Sequence, residues 1–316
     1  MYYPYFRGKQ NELITVRESA ALLAHSNFIP IIEPVKEALG GLKRALDAVI
    51  ECDGNAILVI NPNYGDHTVD ANAIEKLFSD ELNDQHNIAT GILLTDQVTV
   101  NEAYDMCEAH KTRPVTLIHA GFAEARDLAD NLGTHLTNVK HVFFEEYCGK
   151  LYQKHFKDAT RILLRDGFER RTNRKHPPVE FFSDLHATYD DEGMDGYGDF
   201  LIVGDDYSES GGPAYAIAIH LTFIDPDKDD AMYVHHFISD RQDTPTDPAG
   251  KFAEAVSKLV AKIEEPNNHI LHSTAIEEFI DLHNRGHYPG LGYVKKLSMK
   301  HHIETFADFF SKQSNG

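Results

Sequence analysis

The stretch AILVINP at residues 56–62 is a short apolar run that ends in a polar turn, and seven similar runs elsewhere in the chain make it the main indication of the fold class. Runs of this length, rich in β-branched residues, are typical of strands buried on both faces of a parallel sheet. The eight runs occupy residues 2–7, 29–34, 56–62, 90–95, 115–120, 141–146, 161–166 and 200–205. Their spacing fits a repeating order of strand, loop, helix and loop.

Stretches with helical periodicity separate most of the runs, at residues 11–25, 42–51, 73–83, 100–110 and 123–132. Eight strand and helix units in succession favour a TIM-like (β/α)8 barrel. The alternative is an open doubly wound α/β sheet, which a glycine-rich phosphate turn after an early strand would indicate. Gly8 is the early glycine, and it lacks the G-x-G-x-x-G pattern. We therefore expect a barrel, with the open sheet as the alternative.

The pattern changes after the eighth run. Residues 214–225 and 231–240 resemble two strands joined by a five-residue loop, which predicts a β-hairpin inserted after strand 8. A helix at residues 248–264, with Asp247 as its N-cap, and two further helices within 273–312 follow. We expect a single domain over 1–316, with the barrel core at about 1–206 and 247–266, the insertion at about 213–240 and a helical extension at about 270–316.

Composition excludes several classes of protein. The chain has 316 residues, a hydrophobic share of 42% and a net charge of −20, which disfavours nonspecific binding to nucleic acid. No run approaches the ~20 apolar residues that cross a bilayer, and the amino terminus lacks the pattern of a signal peptide. The three cysteines are scattered and odd in number, as is typical of reduced thiols. We expect a soluble cytoplasmic protein that does not bind membranes.

Polar residues cluster where the predicted strands end. In a barrel these ends converge on one face, so the residues there are candidates for a site. Turn formation accounts for Asn and Asp at such positions, but Glu33, His119 and Glu145 would lose solvation in a concave mouth unless they were paired. The candidates are Arg7, Lys9, Glu33, Asn61, His119, Glu145, Arg165, Asp166 and Asp206.

The seventh strand and its loop carry a basic cluster. Its members are Arg161, Arg165, Arg170, Arg171, Arg174, Lys175 and His176, in a chain that is otherwise acidic. The loops after strands seven and eight of such barrels often bind phosphate, and the planar fork of arginine suits that ligand. The alternative is a solvated loop whose cations pair with nearby acids such as Glu169 and Glu180.

Three histidines lie on the predicted hairpin. His220 is on its first strand, and His235 and His236 are on its second. Successive residues of a strand point to opposite faces, so only one of His235 and His236 can join His220. With an acid such as Asp206 nearby, this would form a metal site of two histidines and one carboxylate. The alternative is that these histidines are hydrogen-bonded packing residues.

Several segments resemble one family. They are MYYPYFRGKQNEL at 1–13, IPIIEPVKEAL at 29–39, LLRDGFERR at 163–171, the stretch at 182–225, HHFISD at 235–240 and DPAGKFAEA at 247–255. The chain resembles the "beta protein" family, in a branch of bacterial and phage proteins from mobile-element or defence-associated gene settings. The resemblance implies one integrated fold, intracellular residence and a protein partner encoded nearby. It implies no catalytic residues.

Two functions follow as expectations. In the first, the barrel binds a phosphate-bearing, nucleotide-like or other anionic small molecule at its C-terminal face and hydrolyses a phosphoester with metal assistance. The anion would contact Arg7, Lys9, Asn61, Arg165 and Arg171; a divalent cation such as Mg²⁺ would contact Glu33, Glu145 and Asp206; catalysis would use His119, Glu145 and Asp166. In the second, the protein is a non-catalytic interaction protein of a phage-defence or toxin-control system, and its acidic surface binds a partner.

Overall fold

Strands and helices alternate along most of the chain in the computed structural model, which describes residues 1–209, 212 and 214–314. The strands are β1 (Tyr5–Phe6), β2 (Ile31–Ile32), β3 (Ala56–Val59), β4 (Ile88–Leu94), β5 (Val115–His119), β6 (Lys140–Phe144), β7 (Thr160–Leu164), β8 (Val179–Ser183), β9 (Gly196–Gly198), β10 (Ala218–Asp225) and β11 (Ala231–Ile238). The helices are α1 (Gln10–Glu18), α2 (Ala20–His25), α3 (Gly40–Glu51), α4 (Asn72–Asp80), α5 (Val100–Ala109), α6 (Ala125–Leu132), α7 (Lys150–Gln153), α8 (Leu185–Thr188), α9 (Pro248–Ile263), α10 (Thr274–Asn284) and α11 (Leu291–Ser314).

The chain divides into two compact units. The first contains residues 1–166 and 188–200, and the second contains residues 167–187 and the described residues from 201 onward. The chain therefore passes from one unit to the other three times. The single domain expected for residues 1–316 stays a prediction.

An eight-stranded, all-parallel sheet forms the first unit, in the order β1-β2-β3-β4-β5-β6-β7-β9. Its two edges meet through a parallel bridge between Tyr2 and Tyr197. The backbone N–H of Tyr3 donates to the Tyr197 carbonyl at 2.8 Å, and that of Tyr5 donates to Asp199 at 2.9 Å. The sheet is thus barrel-shaped and nearly closed. Its sequential order differs from the reversed order of an open doubly wound sheet.

One apolar cluster fills the space enclosed by this sheet. It draws alternate residues from the strands, including Ile57, Ile118 and Val142. Because successive residues of a strand point to opposite faces, His119 faces the other side of β5 from Ile118. The outer face of the sheet therefore has its own buried layer.

The eighth barrel strand lies earlier in the chain than expected. The sequence predicts it at residues 200–205, but the structure places β9 at Gly196–Gly198 and a turn at residues 201–203. A Cβ atom on Gly196 or Gly198 would collide with the backbone carbonyls of Met1 and Tyr3. Glycine is required here because β9 closes tightly on the start of the chain. Phe200 is nevertheless buried in the apolar cluster.

A three-stranded antiparallel sheet, in the order β10-β11-β8, organises the second unit. The predicted hairpin is present as β10 and β11, and its turn is a short 3₁₀ segment at Pro226–Lys228. Strand β8 comes from the stretch after β7 that the sequence predicted as a loop, and it pairs with β11. The insertion was expected from residue 213, which lies outside the described residues.

Helices α9, α10 and α11 form one apolar core with the hairpin. The core here includes Leu221, Phe252, Phe279 and Leu297. The predicted N-cap of α9 is confirmed, since the Asp247 side chain accepts a hydrogen bond from the Gly250 N–H. Helix α9, which the sequence assigned to the barrel core, packs its apolar face on β10 and β11. No helix in residues 1–209, 212 and 214–314 is long and apolar enough to cross a membrane.

Candidate functional site

The ends of β1 and β2 carry a buried ion pair. The Nε atom of Arg7 lies 3.5 Å from Glu33 Oε2, and both side chains are buried. The Tyr5 hydroxyl donates to Glu33 Oε2 at 2.9 Å, and the Asn63 N–H donates to Oε1 at 2.8 Å. Burial raises the pKa of Glu33, while the Arg7 charge and these hydrogen bonds act against the rise. The Arg7 guanidinium also lies 4.9 Å from the centre of the Tyr64 ring. These two predicted site residues therefore form an ion pair with each other.

A second pair joins the ends of β6 and β7. Arg165 donates through Nε and Nη2 to the two carboxylate oxygens of Glu145, at 2.6 and 2.8 Å. This two-point contact occupies both oxygens of the carboxylate. Asn61 is also occupied, since its amide exchanges two hydrogen bonds of 2.8 Å with the backbone of Leu93. It ties the end of β3 to β4.

His119 lies in the outer buried layer of the first unit. Its Nδ1 atom is 2.6 Å from the Tyr152 hydroxyl, and its Nε2 atom is 3.0 Å from His141 Nδ1. Its ring stacks on Phe143 at 4.7 Å between centres. Burial lowers the pKa of His119 well below its usual value. The structure therefore places this predicted acid/base as a packed residue facing away from the enclosed cluster.

The remaining predicted residues are divided between the two units. Lys9 precedes α1 and is partly exposed, and Asp166 is exposed after β7. Arg171 and Asp206 belong to the second unit. There Asp206 pairs with Arg170 at 2.6 Å.

The metal site expected from the sequence at Glu33, Glu145 and Asp206 stays a prediction. Two groups in the described part of the chain could hold a metal ion: His176, Glu180 and His236, and Asp225, Asp227 and His269. Neither group includes Glu33, Glu145 or Asp206. Glu33 and Glu145 are each engaged by an arginine, and Asp206 lies in the other unit.

The hairpin histidines do meet. His220 and His236 are directly opposite each other in the register of β10 and β11, and their Nδ1 atoms are 2.6 Å apart. His235 points to the other face, where its ring stacks on Phe223 and Phe237. The prediction that only one of the two neighbouring histidines joins His220 is confirmed, and it is His236.

Glu180 on β8 completes a buried polar cluster with these histidines. Its Oε1 atom lies 2.9 Å from His236 Nε2 and 3.3 Å from His176 Nδ1, while Arg171 donates to Oε2. Phe168 covers the group, with its ring centre 5.0 Å from that of His220. We call His176, Glu180, His220 and His236 the histidine–glutamate cluster.

Burial sets the charge state of this cluster. It lowers the pKa of His236 to about 4 and that of His220 well below the usual value. Burial alone would raise the pKa of Glu180, but hydrogen bonds from Arg171 and His176 and the adjacent charge lower it. At neutral pH the imidazoles of His220 and His236 are therefore neutral and the Glu180 carboxylate is charged.

A cavity of about 470 Å³ adjoins the cluster, and His220 forms part of its wall. Helix α11 contributes residues spaced three or four apart, which places them on one helical face. The lining residues are Thr172, Asn173, Arg174, Ile202, Gly212, Ala214, Tyr215, Ala216, Ala218, His220, Leu291, Val294, Lys295 and Ser298.

Two cations, Arg174 and Lys295, line this cavity. Among the residues that the structure describes, neither Arg174 nor Lys295 takes part in a salt bridge. Both side chains are exposed. Burial is the main cause of the lowered pKa of His220, and the nearby charge of Lys295 lowers that pKa further. The cavity therefore combines positive charge with the hydroxyls of Thr172 and Ser298.

Sequence reasoning found part of this site. Arg174 belongs to the basic cluster, and His220 was singled out on the hairpin. Lys295 and Ser298 were missed, although their spacing with Leu291 is helical and signals a common face. No sequence pattern indicated that residues of α11 would line the same cavity as Arg174.

Comparisons with protein-family models, with curated proteins and with solved structures find no match. The resemblance to the "beta protein" family stays a prediction. The function must therefore be argued from the geometry and chemistry of the site.

Proposed function

We propose that the protein binds a phosphate-bearing or other anionic small molecule in the cavity of the second unit. The observation that carries the proposal is the pair of cations, Arg174 and Lys295, which line the cavity and form no salt bridge with any residue the structure describes. In a chain with a net charge of −20, carboxylates are plentiful, so two uncompensated cations at one cavity favour an anionic ligand.

The rest of the lining fits a small organic anion. A volume of about 470 Å³ lies within the ~300–1,000 Å³ range of small-molecule sites. Ile202, Leu291 and Val294 supply apolar wall for an organic group, and Thr172 and Ser298 supply hydroxyl donors. A phosphate ester meets both requirements, because it joins a charged head to an apolar or aromatic body.

The barrel end of the first unit is a weaker candidate for this ligand. We infer that the first unit is a TIM-like barrel, which the sequential strand order and the bridge from Tyr2 to Tyr197 support. At its strand ends, Arg7 and Arg165 already contact Glu33 and Glu145. An anion binding there would have to displace a carboxylate, and a buried charge left without its partner is costly.

Hydrolysis of the bound phosphoester would use His220. Its Nδ1 atom is engaged by His236, so Nε2 is the nitrogen that remains for proton transfer at the cavity wall. Replacement of His220 by glutamine should then abolish release of p-nitrophenol from p-nitrophenyl phosphate. His235→Gln is the matched control, because His235 is a buried neighbour that faces away from His220. Equal activity in the two variants would exclude this acid/base role.

Anion binding is tested by calorimetric titration with inorganic phosphate, phenyl phosphate and adenosine monophosphate at low salt. The double variant Arg174→Gln/Lys295→Gln should weaken binding about tenfold or more, since a hydrogen bond to a charged group contributes ~1.5–3 kcal/mol. Lys175→Gln is the matched control, because Lys175 is exposed and adjacent to Arg174 but does not line the cavity.

Two outcomes contradict the proposal. One is that the control weakens binding as much as the double variant, and the other is that none of the three anions binds. In the second case the interaction-protein function becomes the better account, and a partner should then bind the acidic surface with steep salt dependence. The defence or toxin-control setting and cytoplasmic location stay predictions.

A further inference from the structure

We propose that His176, Glu180 and His236 bind a divalent transition-metal ion, with Zn²⁺ as the reference ion. The inference goes beyond the proposed function and does not depend on it, because metal binding is measured without any anionic ligand. Within the described residues it is one of two groups with this geometry, and it is the one whose histidines are buried.

The distances fit a single ion. One atom from each of the three side chains lies within 4.8 Å of the other two. Ligand atoms bound to one zinc ion at ~2.0–2.2 Å are themselves roughly 3–4 Å apart. Glu180 Oε1 is 2.9 Å from His236 Nε2 and 3.3 Å from His176 Nδ1, so small side-chain movements would seat the ion.

The ligand types select the metal. Two imidazoles with one carboxylate are typical of zinc and of non-haem iron(II) sites. Mg²⁺ and Ca²⁺ prefer oxygen ligands, so the Mg²⁺ expected from the sequence does not suit this group. The second group, Asp225, Asp227 and His269, is richer in oxygen and more exposed.

The fold holds the three ligands from separate positions. Glu180 lies on β8 and His236 on β11, and His176 follows the 3₁₀ turn at Asn173–Lys175. The His236 N–H donates to the Pro178 carbonyl at 3.0 Å, which fixes the two strands at this point. Both imidazoles are buried, with side-chain exposures of 1% for His176 and 0% for His236. Such packing restricts their rotation.

Outer contacts support the ligands. A histidine that binds a metal through one nitrogen normally donates its other N–H to a neighbour. For His236 that neighbour is His220 Nδ1, at 2.6 Å. An ion on His236 Nε2 would place the proton of His236 on Nδ1 and that of His220 on Nε2. Arg171 donates a hydrogen bond to the second oxygen of Glu180, which orients the carboxylate.

The experiment uses the full chain, stripped with EDTA, dialysed, and titrated with ZnCl₂ against a chromophoric chelator. We expect one tight site that His176→Asn and Glu180→Gln weaken by about 100-fold, since even outer contacts of a metal site are worth ~10–100-fold. His235→Asn is the matched control and His269→Asn removes the second group. Both should leave the tight site unchanged.

A second measurement keeps the test independent of stability. Co²⁺ bound by this group should give visible d–d absorption that is lost in Glu180→Gln, a nearly isosteric change, while far-ultraviolet circular dichroism stays unchanged. An excess of Mg²⁺ should not displace the bound Co²⁺. The proposal is overturned if the wild type binds no Zn²⁺, if His235→Asn weakens binding as much as His176→Asn, or if His269→Asn alone removes the tight site.

Discussion

The strand ends of the first unit and the cavity of the second differ in how they treat positive charge. Arg7 and Arg165 each contact a carboxylate, whereas Arg174 and Lys295 form no salt bridge in the part of the chain that the structure describes. The first arrangement stabilises the fold and leaves little charge for a ligand. An anion site is therefore indicated by uncompensated cations rather than by cations alone.

The two units also use paired histidines differently. His119 and His141 are 3.0 Å apart and surrounded by aromatic rings. His220 and His236 are 2.6 Å apart, and His236 is joined to the carboxylate of Glu180. A carboxylate beside an imidazole gives the pair a charge that a metal ion can neutralise, and the first pair has no such contact among the described residues.

The largest expected effect is acid destabilisation. Burial lowers the pKa of His141 to about 3 in the first unit and that of His301 to about 4 in the second. The unfolded chain, with histidine pKa values near 6.5, then takes up more protons, so stability is full above pH ~6.5 and is lost as the pH falls toward these values. Once the pH is below its folded-state pKa, each of these histidines lowers the free energy of unfolding by on the order of 3–5 kcal/mol.

Hydrogen exchange followed by mass spectrometry, from pH 6.5 downward, measures the loss of protection in each unit separately. Protection after correction for the intrinsic rate should fall in β6 and in α11. High salt should not restore it, because burial rather than surface charge causes the effect. Protection that is constant down to pH 4 in both elements would contradict the assignment of neutral buried histidines.

Glu33→Gln should have the next largest effect. It leaves the buried guanidinium of Arg7 without its counter-charge, which costs about 3–5 kcal/mol of unfolding free energy. Urea unfolding followed by tyrosine fluorescence measures it, since the chain has no tryptophan. Glu145→Gln is the comparison, and its loss should be about 1 kcal/mol because that pair is partly exposed. Equal losses would remove the distinction between the two pairs.

The smallest expected effect is that of Lys295→Gln on stability. Its side chain is exposed and forms no salt bridge with the described residues, so the unfolding free energy should change by less than about 0.5 kcal/mol. The same urea experiment measures this change. A loss above 1 kcal/mol would mean that Lys295 has a structural partner, and the charge contrast between the two regions would then fail.

Most of the barrel could be predicted because its strands are buried on both faces and read as apolar runs. Seven of the eight barrel strands overlap the predicted runs. The exception, β9, consists of Gly196, Tyr197 and Gly198, because its close approach to the first residues of the chain excludes side chains at positions 196 and 198. A strand with glycine at two of its three positions has no hydrophobic pattern to detect.

The site was predicted only where local rules apply. Because side chains alternate between the two faces of a strand, the sequence predicted that His220 would share a face with only one of His235 and His236. Glu180 joins the cluster because β8 pairs with β11. The pairing of two distant segments, and its register, cannot be predicted from the sequence of either segment. The meeting of Arg174 with Lys295 likewise depends on packing between segments far apart in the chain.

The route of the chain has a consequence for biosynthesis and for fragment design. Strand β8 lies between two barrel strands in sequence, yet its hydrogen-bonding partner β11 emerges later from the ribosome. At ~5–20 residues per second, the edge of β8 waits a few seconds for that partner. A fragment cut after residue 200 would keep β8 as an orphan edge, and one starting at residue 201 would lack Glu180. No single cut therefore yields either unit intact, and isolating the second unit requires a linker that joins residues 167–187 to the segment that begins at residue 201.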